Sequence, residues 1–218
     1  MISKRIKAIS EMVSDNSYAI DVGCDHALLD IYLAKNKNCK MIASDINEKP
    51  LLQAKSNIKK NNLEKDIQIL LADGISKMPK EVDTIILSGM GTDTIINILE
   101  NDYDKLTNIK NIVISTQNHY YRLRKKMMLL GFSISKEDFI YDKGKYYLII
   151  SFAKKNTKYS VKELVYGPIL INSNNKHYKD YLKKQIDKYN NIIKSLKFKN
   201  ILLKFKYKKR IRDIKNIL

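Results

Sequence analysis

The sequence predicts an α/β fold, a doubly wound parallel sheet with a C-terminal α-helical coiled-coil hairpin. Three observations predict it. Between residues 18 and 130, short apolar runs ending at Gly, Asp or Ser alternate with helical stretches. At Phe132 the pattern changes to two adjacent strand-like runs. Beyond Gly167-Pro168, two apolar seams repeat at heptad spacing.

The elements follow in order. Residues 3–13 read as a helix with Ile6, Ile9 and Val13 on one face. Residues 18–22 are a strand closed by a tight turn at Gly23, and residues 27–35 are the next helix. Residues 40–44 form the second strand, ending at Asp45. Helix 48–61 carries Pro50 early, where its missing N–H costs little. Residues 67–71 are the third strand, ahead of Asp73-Gly74. Residues 82–88 are the fourth, largely apolar, as suits a strand covered on both faces. Helix 92–99 and a fifth strand at 111–115 come next, and helix 120–130 stops at Gly131. Five β-α units thus precede two strands, 132–141 and 145–152, around Asp142-Lys143-Gly144. Gly144 can take the positive φ of a hairpin turn, and this hairpin should close one edge of the sheet. Residues 154–162 read as a polar, basic linker, and Gly167-Pro168 breaks the chain. Leu182, Ile186, Tyr189, Ile193 and Leu196 then form one seam, and Tyr207, Ile211, Ile214 and Leu218 a second. Two such helices, joined near residues 197–200, make an antiparallel hairpin that carries its lysines outside.

Composition narrows the function. The chain has 218 residues, 44% hydrophobic and 29% charged, so it can bury a core and is not disordered. Its net charge is +18. Residues 1–153 hold 22 basic and 19 acidic side chains, whereas residues 154–218 hold 19 and 4. General lysine enrichment would raise both parts alike, so the basic tail points to a polyanion such as nucleic acid. Two cysteines, Cys24 and Cys39, exclude a disulfide framework and a zinc cluster, and no metal is expected. The N-terminal helix lacks the apolar core of a secretory signal, and no run of about 18 apolar residues would span a membrane. A cytoplasmic protein is expected, with no membrane association and no obligate protein partner.

The chemistry should lie beyond the carboxyl ends of the strands, near the point where strand order reverses. There Asp21-Val22-Gly23-Cys24-Asp25-His26-Ala27 places acids and an imidazole beside a glycine turn. The loop lacks the full G-x-G-x-x-G, which disfavours a pyrophosphate cradle. Its carboxylates suit a ligand with a cationic or ammonium centre, although Asp21 could serve an internal hydrogen bond and His26 a helix cap. Asp45 ends the second strand, where an acid accepts from ribose hydroxyls, while Asn47 suits the following N-cap better. Asp73, beside Gly74, could accept from an adenine amino group or simply serve its turn. Gly89-Met90-Gly91 exposes backbone after the fourth strand. Together these features favour S-adenosylmethionine over a dinucleotide.

At this point the residues resemble a known family. DVGCDHALLDIYL (21–33), ASDIN (43–47), LSGMG (87–91), Gln117-Asn118 and KGKYYLII (143–150) resemble the bacterial tRNA (adenine-22-N1)-methyltransferases, the TrmK family. Gly167-Pro168 ahead of a helical pair also matches. The resemblance implies a Rossmann-type class I methyltransferase sheet over residues 1–155 and a basic, tRNA-binding coiled coil over residues 156–218. It implies S-adenosylmethionine as donor and tRNA as acceptor. Asp21, Gly23, Cys24, Asp25 and His26 would then line the cofactor loop, Asp45 and Asn47 the ribose side, and Asp73 and Gly74 the adenine side. Gly89, Met90 and Gly91 would form the methyl-transfer face with Asn118 near it, and Asp25 and His26 are further candidates for the chemistry. Serine is usual in the family at Cys24, proline at Asp30, often an acid other than aspartate at Asp45, glycine at Thr92, and Q-P-N where Thr116-Gln117-Asn118 stands.

Adenine N1 carries a free lone pair at neutral pH, so direct in-line attack on a sulfonium methyl needs no strong base. Positioning would supply most of the acceleration, on the order of 7–11 kcal/mol. Tyr120 and Tyr121 offer stacking surfaces for a base swung out of the tRNA, or are simply the start of a helix. A methyltransferase acting on another RNA, or a non-catalytic RNA-binding protein with a retained cofactor pocket, fits the same residues.

Overall fold

A computed structural model describes residues 2–196 and 200–218. Helix α1 (Lys4–Met12) starts where the Ser3 hydroxyl accepts the Ile6 N–H, and it buries Ala8, Ile9 and Met12. Then come β1 (Tyr18–Val22), α2 (Leu28–Lys37), β2 (Lys40–Asp45), α3 (Glu48–Lys60) and β3 (Ile67–Leu71). They are followed by β4 (Thr84–Ser88), α4 (Thr92–Asn101), β5 (Asn111–Thr116) and α5 (Tyr120–Leu129). The hairpin strands are β6 (Phe132–Asp142) and β7 (Lys145–Lys154), and the tail holds α6 (Val161–Tyr166), α7 (Lys176–Ser195) and α8 (Ile201–Lys215).

The strands form one sheet in the order β3-β2-β1-β4-β5-β7-β6. Neighbours among β1 to β5 are parallel, while β7 pairs antiparallel with both β5 and β6. Alternation along each strand separates two cores. Ala19, Met41, Ile86, Val113 and Ile149 face one side, where α1, α2 and α3 pack. Ile20, Ile42, Ile85, Ile112 and Ile150 face the other, against α4, α5 and the tail. Both faces of the central strands are thus covered, which explains their unbroken apolar runs.

Two sequence expectations need correction. The β3–β4 connection carries no helix, so four β-α units precede the hairpin rather than five. Residues 154–162 are not all linker, because α6 starts at Val161. Ser160 accepts the Glu163 N–H while Glu163 accepts the Ser160 N–H, a capping box that nucleates this short helix.

Helices α7 and α8 pack together, with Tyr189 and Tyr207 rings 5.2 Å apart and Leu182 and Ile214 buried. Leu196 and Leu218 of the seams lie just past the helix ends, and residues 197–199 of the expected joint lie outside the described residues. The tail is not a detached module. Tyr166, Leu170, Tyr178 and Leu182 share a buried cluster with Ile114, Phe139 and Leu148 of the sheet.

Candidate active site

Strand order reverses at β1, whose neighbours are β2 on one side and β4 on the other. A cleft of about 440 Å³ opens there, beyond the carboxyl ends of the strands. Its walls include Asp21 and Gly23 from β1 and its turn, Cys24, Asp25 and His26 from the following loop, and Asp45 from β2. Ser88, Gly89 and Met90 close it from β4, and Arg5 of α1 reaches in from the side.

Local geometry explains these placements. Gly23 takes φ +77°, and its N–H and that of Cys24 both donate to the Ser44 carbonyl, at 2.8 and 3.0 Å. A Cβ on Gly23 would lie 3.1 Å from Met90 Cε, and the positive φ would strain any other residue there. Asp25 and Ala27 also adopt positive φ, which turns the Asp25 and His26 side chains outward. His26 Nε2 stands 3.5 Å from Asp25 Oδ1, with the side chains 50% and 76% exposed. His26 is not a helix cap; the N-cap residue of α2 is Ala27, without a side-chain cap bond.

Asn47 is the N-cap residue of α3, but its side chain does not cap the helix. Its backbone N–H donates to Asp45 Oδ1 at 2.9 Å, and its amide donates to the same oxygen at 3.4 Å. One Asp45 oxygen is thereby fixed, which orients the other for a ligand hydroxyl.

Asp21 and Asp30 are buried together under the cleft. Apart from each other, Asp21 Oδ1 and both Asp30 oxygens meet no hydrogen-bond donor from another described residue. Burial, and then the neighbouring Asp30 carboxyl, push Asp21 well above the usual carboxylate range. Burial also pushes Asp30 up to about 7. In this setting ionising one carboxyl opposes ionising the other. Burial, with these same acids nearby, likewise raises the Cys24 thiol, so it lines the cleft as a neutral group.

A second pocket of about 240 Å³ adjoins the first, lined by Gly89, Met90, Gly91, Ser115, Thr116, Gln117, Asn118 and Tyr147. Gly89 and Met90 belong to both. Thr92, the first residue of α4, braces the far wall. Its hydroxyl lies 2.9 Å from Thr116 Oγ1, 2.9 Å from the Asn118 carbonyl and 3.2 Å from Asn118 Oδ1.

Most of the expected residues therefore converge. Asp21, Gly23, Cys24, Asp25, His26, Asp45, Gly89 and Met90 line the larger cleft, and Gly91 and Asn118 the smaller pocket. Asn47 acts through Asp45. Asp73 is exposed outside the cleft, and Gly74 packs against Ile98, so neither lines it. Tyr120 is partly buried: its ring packs edge-on against Phe139 and Tyr181, and its hydroxyl donates to the Gln117 carbonyl. Tyr121 stays exposed, with Lys125 over its ring. Sequence reading missed Arg5 and Tyr147, whose guanidinium and ring centroid lie 5.4 Å apart. No local signal marks them, because chain segments far apart bring them together.

The residues fit S-adenosylmethionine. The cleft has the volume of a small-molecule site. Asp45 presents an oriented oxygen, and the Asp21 carboxyl forms part of the wall.

Comparison with known proteins agrees. The methyltransferase domain family matches residues 2–150. A Bacillus subtilis (strain 168) tRNA (adenine(22)-N(1))-methyltransferase is 30% identical over 151 residues, 68% of this chain. The chain spans 63% of that protein's length. Among solved structures, M. capricolum TrmK in complex with S-adenosyl-homocysteine is 32% identical, with TM-score 0.86, over 99% of this chain and 96% of that one. A Streptococcus pneumoniae protein in complex with S-adenosyl-L-methionine is 28% identical, with TM-score 0.90, over the full length of both. On fold, cleft and these likenesses, the chain belongs to the methyltransferase domain family and, within it, to the TrmK family.

Proposed function

We propose that this chain methylates N1 of adenine 22 in tRNA, acting in the cytoplasm, with the larger cleft holding the methyl donor and the smaller pocket the adenine. The observation that carries this reading is the shared wall, Gly89 and Met90, which lines both spaces. S-adenosylmethionine supplies an electrophilic methyl group on a sulfonium centre. Asp45 receives ribose hydroxyls, and the Asp21 carboxyl receives the ammonium end. Gly23 lets the turn after β1 lie close against Met90, which both spaces share. Thr92 holds Asn118 and the Gln117 turn against the acceptor pocket. Because adenine N1 needs no deprotonation, these residues contribute position rather than base catalysis. The backbone carbonyls of Gly89 to Gly91 and the Asp25 carboxylate favour positive charge growing on the base. His26 shapes the loop beside them.

In the same reading, residues 1–155 hold the donor and residues 156–218 grip the tRNA backbone. Tail deletion is a poor test of that division, since it would strip Tyr166, Leu170 and Tyr178 from the core. Charge neutralisation is better. Replacing exposed Lys188, Lys206, Lys208 and Lys209 by Gln should weaken tRNA binding and flatten its salt dependence, leaving cofactor affinity intact. Unchanged tRNA affinity would reassign the tail.

The activity test is transfer of labelled methyl to unmodified tRNA, followed by reverse transcription. A new stop at adenine 22 is expected, because N1 methylation blocks the pairing edge. Label incorporated without that stop would move the target to another nucleotide. Cofactor binding without any transfer would favour a non-catalytic RNA-binding protein.

A further inference from the structure

Beside the acceptor pocket, the tip of the β6–β7 hairpin carries a ladder of aromatic rings that runs from the core to the surface. Phe139 is buried and stacks on Tyr146, with centroids 5.8 Å apart and planes at 29°. Tyr146 in turn meets Tyr141, its cross-strand partner, at 4.8 Å. Tyr141 is the outermost ring and is 39% exposed. Lys184 of α7 places its ammonium 5.1 Å from the Tyr146 centroid and 5.9 Å from that of Tyr141.

Packing accounts for the inner rings. Tyr146 touches Tyr181 as well as Phe139, and both belong to the wall between sheet and tail. Tyr141 meets Tyr146 and, with centroids 6.4 Å apart, the His177 ring of α7, yet it keeps 39% of its surface exposed beside a cation, more than these two contacts require. Position adds to the case. Tyr146 and Tyr147 are adjacent and face opposite sides of β7, so Tyr147 lines the acceptor pocket while Tyr146 faces α7. Exposed Lys143 and Lys145 flank the hairpin turn, and exposed Lys183 and Lys184 stand on α7. The tip thus stands between α7 and the acceptor pocket, with its lysines on the α7 side.

We infer that Tyr141, backed by Tyr146 and flanked by Lys184, is a stacking platform for an unpaired nucleobase of the tRNA, next to the base being methylated. The inference rests on the proposed tRNA substrate. A base swung out for reaction leaves its neighbour with an uncovered face. An aromatic ring can cover that face whatever the base, and a nearby ammonium can meet its phosphate. The platform is therefore sequence-tolerant and contributes affinity and orientation rather than base choice.

The test compares Tyr141→Ala, Tyr141→Phe and Lys184→Gln for binding to an unmodified tRNA transcript across a salt series, with S-adenosylmethionine affinity as the check on folding. Tyr141→Ala should weaken tRNA binding about tenfold with an unchanged salt slope, and Tyr141→Phe should restore it. Lys184→Gln should instead reduce the slope by about one phosphate contact. Tyr141→Ala binding tRNA as the wild type does would overturn the platform, even with adenine 22 methylated normally. Tyr141→Phe as weak as Tyr141→Ala would also overturn it, since the hydroxyl rather than the ring would then matter. A wild-type chain that methylates a different nucleotide while keeping the Tyr141 effect would overturn the target assignment and leave the platform standing.

Discussion

Arg124 Nε and Glu137 Oε1 meet at 2.7 Å, with side chains 1% and 0% exposed. The pair joins the methyltransferase sheet to its tail. Arg124 also donates to the Leu164 and Val165 carbonyls at the end of α6, while Glu137 accepts from the Ile169 and Leu170 N–H groups. Gly167 lies against both, and a Cβ there would sit 2.6 Å from Glu137 Oε2. Removing either charge leaves the other buried and unpaired, a cost of about 3–5 kcal/mol. Arg124→Met or Glu137→Gln should therefore lower Tm by about 6–20 °C at about 2–4 °C per kcal/mol, as read by thermal unfolding. Gly167→Ala should also destabilise, through the same contact and its φ of +87°.

The Asp21–Asp30 pair makes stability pH-dependent. The folded-state pKa of Asp30 rises from 3.8 to about 7, and that of Asp21 also rises. Between those limits the native state holds more protons than the unfolded chain. Stability is thus full at low pH and declines as pH rises through about 4 to 7. Asp30→Asn removes one of the two charges and can donate to Asp21. It should raise Tm by about 4–8 °C at pH 8, for a gain of about 2 kcal/mol, and change it little near pH 4. Parallel melting curves across pH for the two proteins check this.

Asp45→Asn should weaken S-adenosylmethionine binding about 10- to 100-fold, the loss of charge-assisted hydrogen bonds worth about 1.5–3 kcal/mol. The amide oxygen of the substituted side chain can still accept the Asn47 N–H, so the turn should persist. Calorimetric titration with cofactor reads the loss, and tRNA affinity should stay at the wild-type value.

Thr92→Val should act on the acceptor side alone. It removes the hydroxyl that ties Thr116 and Asn118 together and loosens that wall by about 1–3 kcal/mol. Because Thr92 does not line the larger cleft, KM for S-adenosylmethionine should hold while kcat falls about tenfold. Steady-state methyl transfer at saturating tRNA separates the two constants.

Much of the architecture was legible from local pattern. The apolar runs at β1, β4 and β5 and the turn at Lys143-Gly144 have short-range causes, burial on both faces and positive φ. The site was legible where a loop directly follows a strand, as at Gly23, Asp45 and Gly89, because topology carries every such loop to one edge of the sheet. It was not legible at Asp73, which follows a strand but lies outside the cleft. Nor was it at Tyr120, whose place at the start of a helix gave no sign that Phe139 and Tyr181 would pack edge-on against its ring.

By itself the sequence determined the alternation of strands and helices, the glycine and acidic turns, the basic tail and its heptad seams. Each depends on the conformational freedom or polarity of residues near one another in the chain. Tertiary structure alone decided that β7 would insert between β5 and β6, that Asp30 would lie against Asp21, and that Arg5 would reach Tyr147. It also decided that Arg124 and Glu137 would lock the tail to the sheet. These are pairings of side chains on different elements, and their energies arise only when packing removes water between them.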